Sequence, residues 1–189
     1  SYTRETWYAA AHAALPAPSA RMHARDVTSV DAHDLFRFYA MTTPHAVQRA
    51  EQLSMPDFDL GRRGGAYDPP HLIGGNPLSM SRRMALIEHD QSSKPCAVAL
   101  AFAGLHHHPN VLKVRTAAGD VDLARDLVRA SVRALPPGRP ITSPVRSYEE
   151  HVARALLSEG FRDAATAMLF VKELAIRVEE RALAPAVVR

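Results

Sequence analysis

The stretch RPITSPVRSYEEHVARALLSEGFRDAATAMLFVKELAIRV, residues 139–178, restricts the fold more than any other part of the chain. A strand-like run from Ile141 to Val145 leads into a helical run from Tyr148 to Ser158. Gly160-Phe161 closes that helix, because glycine enters the left-handed backbone region that ends helices. A second strand-like run, Thr166 to Leu174, follows. A strand, a helix and a strand in direct succession set a mixed α/β class.

The upstream chain extends the same alternation. Val121 to Leu135 reads as a helix capped by Asp120 and stopped by Pro136-Pro137-Gly138. Met84 to His89 and Pro95 to Leu105 read as antiparallel strands joined by a polar turn, and Val111 to Thr116 as a third strand. Arg21 to Val27 suits a short strand. Leu35, Phe36, Phe38 and Tyr39 mark a helix that Thr42-Thr43-Pro44 interrupts, and Pro44 to Leu53 resumes it. Thr3 to Leu15, with Trp7, Ala10, Ala11 and Ala14 at helical spacing, reads as an N-terminal helix. It forms a helical appendage over residues 1–18, and residues 19–189 form one domain. Glycines and prolines make residues 54–79 an irregular loop that can cover a site.

Composition narrows the function classes. With 47% apolar and 23% charged residues, the chain can bury a core. A net charge of +3 falls short of the dense basic patches of nucleic-acid binders. Arg125, Arg129 and Arg133 form one basic helical stripe, but Asp122 and Asp126 pair with it and no aromatic residues interleave it. Cys96, the one cysteine, excludes a disulfide framework and sits in an apolar run as an inert thiol. No run is long enough to span a bilayer, and a reducing cytoplasm is the expected compartment. His106-His107-His108 cannot converge on one metal ion from an extended chain, so no metal site is expected.

ALLSEGFRDAATAMLFVKEL, LKVRTAAGDVDLARDLVRAS and RDVTSVDAHDLFRFYAMTTPHAVQRAEQL, with the order of elements from Arg21 onward, resemble the GNAT superfamily of acyl-CoA-dependent N-acyltransferases, its bacterial members in particular. The resemblance covers about 150 residues. It implies a mixed, mainly antiparallel, twisted sheet flanked by helices, with an acyl-CoA lying between two splayed strands, Val111–Thr116 and Pro140–Val145. Pantetheine would pair with the strand at Val114, Arg115 and Thr116. The pyrophosphate would rest at the start of the next helix, near Gly119, Ala124 and Arg125.

This chain departs from the family pattern twice. Only Ala124 matches the phosphate loop; Gly119 and Asp122 stand at its Gln/Arg and first-glycine positions, and Asp120 and Asp122 would repel a pyrophosphate. Leu156 stands where the family places a tyrosine acid. Tyr148 is the phenol nearby, and Glu88 and His107 compete as general base. Two functions are therefore expected: an atypical enzyme moving an acyl group from acetyl-CoA or another acyl-CoA to an amine, or a degenerate, non-catalytic module that binds a protein partner or a small ligand. Either is compatible with a homodimer and needs no membrane.

Overall fold

The computed structural model describes residues 3–11, 15–19, 22–60, 80–117 and 119–170. The strands are β1 (Thr3–Ala10), β2 (Arg25–Asp26), β3 (Met80–His89), β4 (Pro95–Gly104), β5 (Asn110–Thr116), β6 (Ile141–Arg146) and β7 (Arg162–Leu169). The helices are α1 (Ala32–Thr42), α2 (His45–Glu51), α3 (Val121–Ala134) and α4 (Glu150–Ser158). Short 3-10 helices at Ser29–Asp31 and Met55–Phe58 flank the α1–α2 pair.

One seven-stranded sheet runs in the order β2-β3-β4-β5-β6-β1-β7. Every pairing is antiparallel except β5–β6. Strand alternation divides the core between its two faces. Ala97, Ala99, Ala101, Leu112 and Val114 pack with Leu127, Val128, Val152 and Leu156 of α3 and α4. Val98, Leu100, Phe102 and Val111 pack with Leu35, Phe38 and Tyr39 of α1 and with Phe58. The small alanines of β4 let α3 approach the sheet closely, while the larger residues opposite fill the space under α1.

The N-terminal segment is corrected from helix to strand. Residues 3–10 form β1, which lies inside the sheet and is not an appendage. Glu5 to Ala10 pair with Arg146 to Ile141 on one side, and Thr3 to Ala9 pair with Leu169 to Arg162 on the other. Thr3, Glu5 and Tyr8 are buried whereas Arg4 is exposed, and threonine, tryptophan and tyrosine favour a pleated surface. The helical spacing of Trp7 and the alanines loses to the two hydrogen-bonding edges that this slot satisfies.

Other boundaries move less. The second strand shortens to Arg25–Asp26, held by an Arg25–Asp31 ion pair of 2.6 Å. β3 begins at Met80, four residues before the expected start, and α4 begins at Glu150. β7 spans Arg162–Leu169, ahead of the expected Thr166–Leu174, because it follows Gly160-Phe161 directly and pairs with β1 at once. Most of the loop expected at residues 54–79 lies outside the described residues, as do Ala118, Lys172 and the chain beyond Phe170.

Because β7 pairs with β1 and not with β6, its place in the sheet depends on β1. Thr6→Pro removes a donor from an inner strand and leaves its buried acceptor unsatisfied, at a cost of about 1–3 kcal/mol. Amide hydrogen exchange should then show residues 162–169 losing protection while β3, β4 and β5 keep theirs.

A candidate cleft and the cluster that fills it

The parallel β5–β6 ladder is short. Asn110 pairs with Ile141 and Val111 with Thr142, and no later pair forms among the described residues. The cause is legible in the backbone register. The Asn110 N–H donates to the Pro140 carbonyl at 2.9 Å, so alternate residues of β6 (140, 142, 144, 146) turn their backbones towards β5. The donor due after residue 142 is residue 144, which is Pro144 and has no N–H. The ladder stops there and the strands splay towards Thr116 and Arg146. Alternation on β5 likewise aims the backbones of Leu112, Val114 and Thr116 into the gap.

The residues just after β6 cross the mouth of this gap. Glu149 Oε2 accepts the Arg146 N–H at 2.9 Å, the donor that would otherwise face β5. His151, buried in the first turn of α4, places Nε2 3.3 Å from the Thr116 carbonyl. Glu149 Oε1 also meets Arg115 Nε at 2.8 Å, with both side chains at most 10% exposed. The Tyr148 hydroxyl accepts from Arg115 Nη2 at 3.0 Å, and Thr43 Oγ1 accepts from Nη1 at 3.3 Å. The guanidinium stands over the Tyr39 ring, 5.8 Å from its centre.

This contact set belongs to a larger buried cluster on the α1–α2 face. Arg146 Nε pairs with Glu5 of β1 at 2.9 Å, and Nη2 pairs with Glu51 at the end of α2 at 3.3 Å. Tyr39 donates its hydroxyl to Glu51 Oε2 at 2.8 Å. Lys113, one step along β5 on the same face as Arg115, completes three cations against the carboxylates Glu5, Glu51 and Glu149. Taking one partner away from a buried pair of this kind costs about 3–5 kcal/mol, since the other charge stays desolvated. Burial raises the Tyr39 and Tyr148 phenols above their ordinary value, so both hydroxyls stay protonated at neutral pH. Burial, with Arg115 and Arg146 nearby, pulls the Lys113 ammonium down to about 8.

The start of α3 is also occupied. Asp120 accepts the Leu123 N–H at 2.9 Å and Asp122 holds Arg125 at 2.8 Å. A helix N-terminus attracts anions through such free N–H groups. Here the chain's own carboxylate supplies the negative charge.

The residues singled out from sequence are scattered by the fold. Tyr148, Arg115 and Thr116 meet at the mouth. Val114 and Ala124 are buried in the core on the α3 side. Gly119 forms the turn before α3 with φ +91°, and Arg125 joins Glu159 as well as Asp122. Glu88 is on β3, two strands away from β5, and His107 sits in the β4–β5 turn beyond the paired end of the cleft. Burial pushes the Cys96 thiol up to about 11, as suits an inert side chain. Among the described residues no group of three His, Cys, Asp or Glu side chains can hold a metal ion, and no helix is long and apolar enough to cross a membrane. Glu5, Glu51 and Glu149 escaped the sequence reading. They carry no motif, and only the insertion of β1 beside β6 brings Glu5 to Arg146.

Lys113 gives the cluster a pH signature. Its ammonium is disfavoured in the folded state, so folding gains stability as pH rises from about 8 towards the unfolded value near ~10.4. Denaturant midpoints measured across that window should rise in the parent protein, relative to Lys113→Met, which loses this contribution.

No family model matches the sequence and no curated protein is similar to it. Solved structures are similar in fold. A protein assigned to the GNAT family as an acetyltransferase, from Novosphingobium aromaticivorans, is 12% identical over 87% of this chain and 61% of its own, with a TM-score of 0.50. A conserved protein of unknown function from Staphylococcus epidermidis is 10% identical over 87% of this chain and 59% of its own, with a TM-score of 0.55. A point mutant of the protein TTHA1254 from Thermus thermophilus is 18% identical over 82% of this chain and 100% of its own, with a TM-score of 0.45. The chain thus spans about three fifths of the length of the first two. The mixed sheet, its splayed parallel pair and the helices on both faces constitute a GNAT-like fold.

Proposed function

We propose that this chain is a GNAT-like module that acts by binding a protein partner or a small ligand, and that it has exchanged acyl transfer for a structural ion-pair cluster. The observation that carries this reading is the closed mouth of the β5–β6 gap. The Thr116 carbonyl meets His151, the Arg146 N–H meets Glu149, and Arg115 ties Glu149 to the β5 side. An acyl-CoA in that gap needs such backbone groups for its pantetheine, and it needs the first N–H groups of α3 for its pyrophosphate. Asp120 already caps α3, and Asp122 adds a second carboxylate beside it. The residues present do not fit acyl-CoA in this arrangement.

One observation favours the second reading, acyl transfer from an acyl-CoA to an amine in the cytoplasm. The strands do splay after two rungs, and the Tyr148 hydroxyl, protonated at neutral pH, stands in the mouth. Cleft binding would then require the segment from Ser147 to His151 to swing away, breaking the buried Arg115–Glu149 pair. That rearrangement works against binding.

Isothermal calorimetry with acetyl-CoA and with CoA separates the two. The binding-module reading expects no heat of binding at millimolar ligand and no acyl transfer to a panel of amines. Saturable binding together with amine acylation that Tyr148→Phe abolishes would establish the enzyme instead.

A further inference from the structure

A cavity of about 220 Å³ opens on the other face of the sheet, at the opposite end of β6 from the charge cluster. Its apolar lining includes Ala10 at the end of β1, Leu15, Val132 in the last turn of α3, Ile141 at the start of β6, and Phe161. Among the described residues, one ionisable side chain lines it, Glu159, directly after α4. That side chain is only 5% exposed.

Glu159 is held in a fixed orientation. Arg129 donates to its Oε1 from Nη2 at 2.8 Å and from Nε at 3.1 Å, and Arg125 Nε lies 3.7 Å from the same oxygen. Both guanidiniums make their contacts to Oε1. Arg125 and Arg129 are themselves shared with Asp122 and Asp126, at 2.8 and 3.8 Å. The C-terminal turn of α4, with Gly160 at φ +86°, forms part of the same wall and adds the partial negative charge of a helix end.

We propose that this recess is a binding site for a small hydrophobic amine, its apolar body between α3 and β6 and its ammonium group on the Glu159 carboxylate. The size of the ligand follows from the volume. A dry cavity of about 150 Å³ holds one benzene, so this one takes roughly nine non-hydrogen atoms. An ammonium group suits a buried carboxylate and a helix C-terminus, whereas a carboxylate of the same size meets both as a like charge. The site is separate from the β5–β6 gap and stands whether or not the gap binds an acyl-CoA.

The test titrates 2-phenylethylamine, and phenylacetate as its anionic counterpart, into the intact chain by calorimetry and by amide chemical shifts. The amine should bind with the shifts centred on residues 10–11, 132, 141 and 159–161, and phenylacetate should bind at least about ten-fold more weakly. Glu159→Gln should weaken the amine by about ten-fold while leaving phenylacetate no weaker. Ala11→Phe, placed on an exposed position at the rim, should abolish amine binding without changing the circular dichroism of the fold. Equal affinities for amine and acid, binding unmoved by Ala11→Phe, or no binding even at high millimolar amine would each overturn the proposal.

Discussion

A missing hydrogen-bond donor organises the functional half of this molecule. Pro144 sits where the β5–β6 ladder needs its next N–H, so the two strands part after two rungs. A parallel pair inside a sheet normally continues, because buried backbone groups that go unpaired are costly. The gap that opens must therefore be satisfied by something other than a strand. In this chain the segment just after β6 supplies it, with Glu149 taking the Arg146 N–H and His151 meeting the Thr116 carbonyl.

Once Glu149 is drawn in, the rest of the cluster follows. A carboxylate at most 10% exposed needs a cation, and Arg115 projects from the same strand face. Arg146 in turn needs counter-charges, which come from Glu5 on one side and Glu51 on the other. Elements distant in sequence, β1, α2, β5 and β6, are thereby locked to one another by charge as well as by packing. The Arg115–Glu149 pair also ties the segment after β6 to β5 across the mouth of the gap.

Most of the scaffold was legible in the sequence because its signals are local. Asp120 before an amphipathic run, Pro136-Pro137-Gly138 after it, and Gly160-Phe161 closing α4 each act within a few residues of chain. The two carboxylates at the start of α3 were legible for the same reason, since the identities of Asp120 and Asp122 alone place negative charge at a helix start. β1 was misread as a helix because its decisive partners are Ile141 to Arg146 and Arg162 to Leu169, both far along the chain. The cluster was invisible for a related reason. Glu5, Glu51 and Glu149 are unremarkable glutamates until the sheet order sets them around Arg115 and Arg146. Pro144 does carry a signal in the sequence, since a proline within a strand flanked by strands on both sides demands a break in one ladder.

The central claim is that two backbone groups at the mouth of the β5–β6 gap, the Arg146 N–H and the Thr116 carbonyl, are already satisfied from within the chain. Residue-resolved amide exchange on β5 and β6, with and without millimolar acetyl-CoA, addresses it most directly. The account predicts a slowly exchanging Arg146 amide and no change at Leu112, Val114, Thr116 or Arg146 when acetyl-CoA is added. New protection of Val114 and Thr116 by acetyl-CoA, or an Arg146 amide that exchanges as freely as an exposed loop, would contradict it.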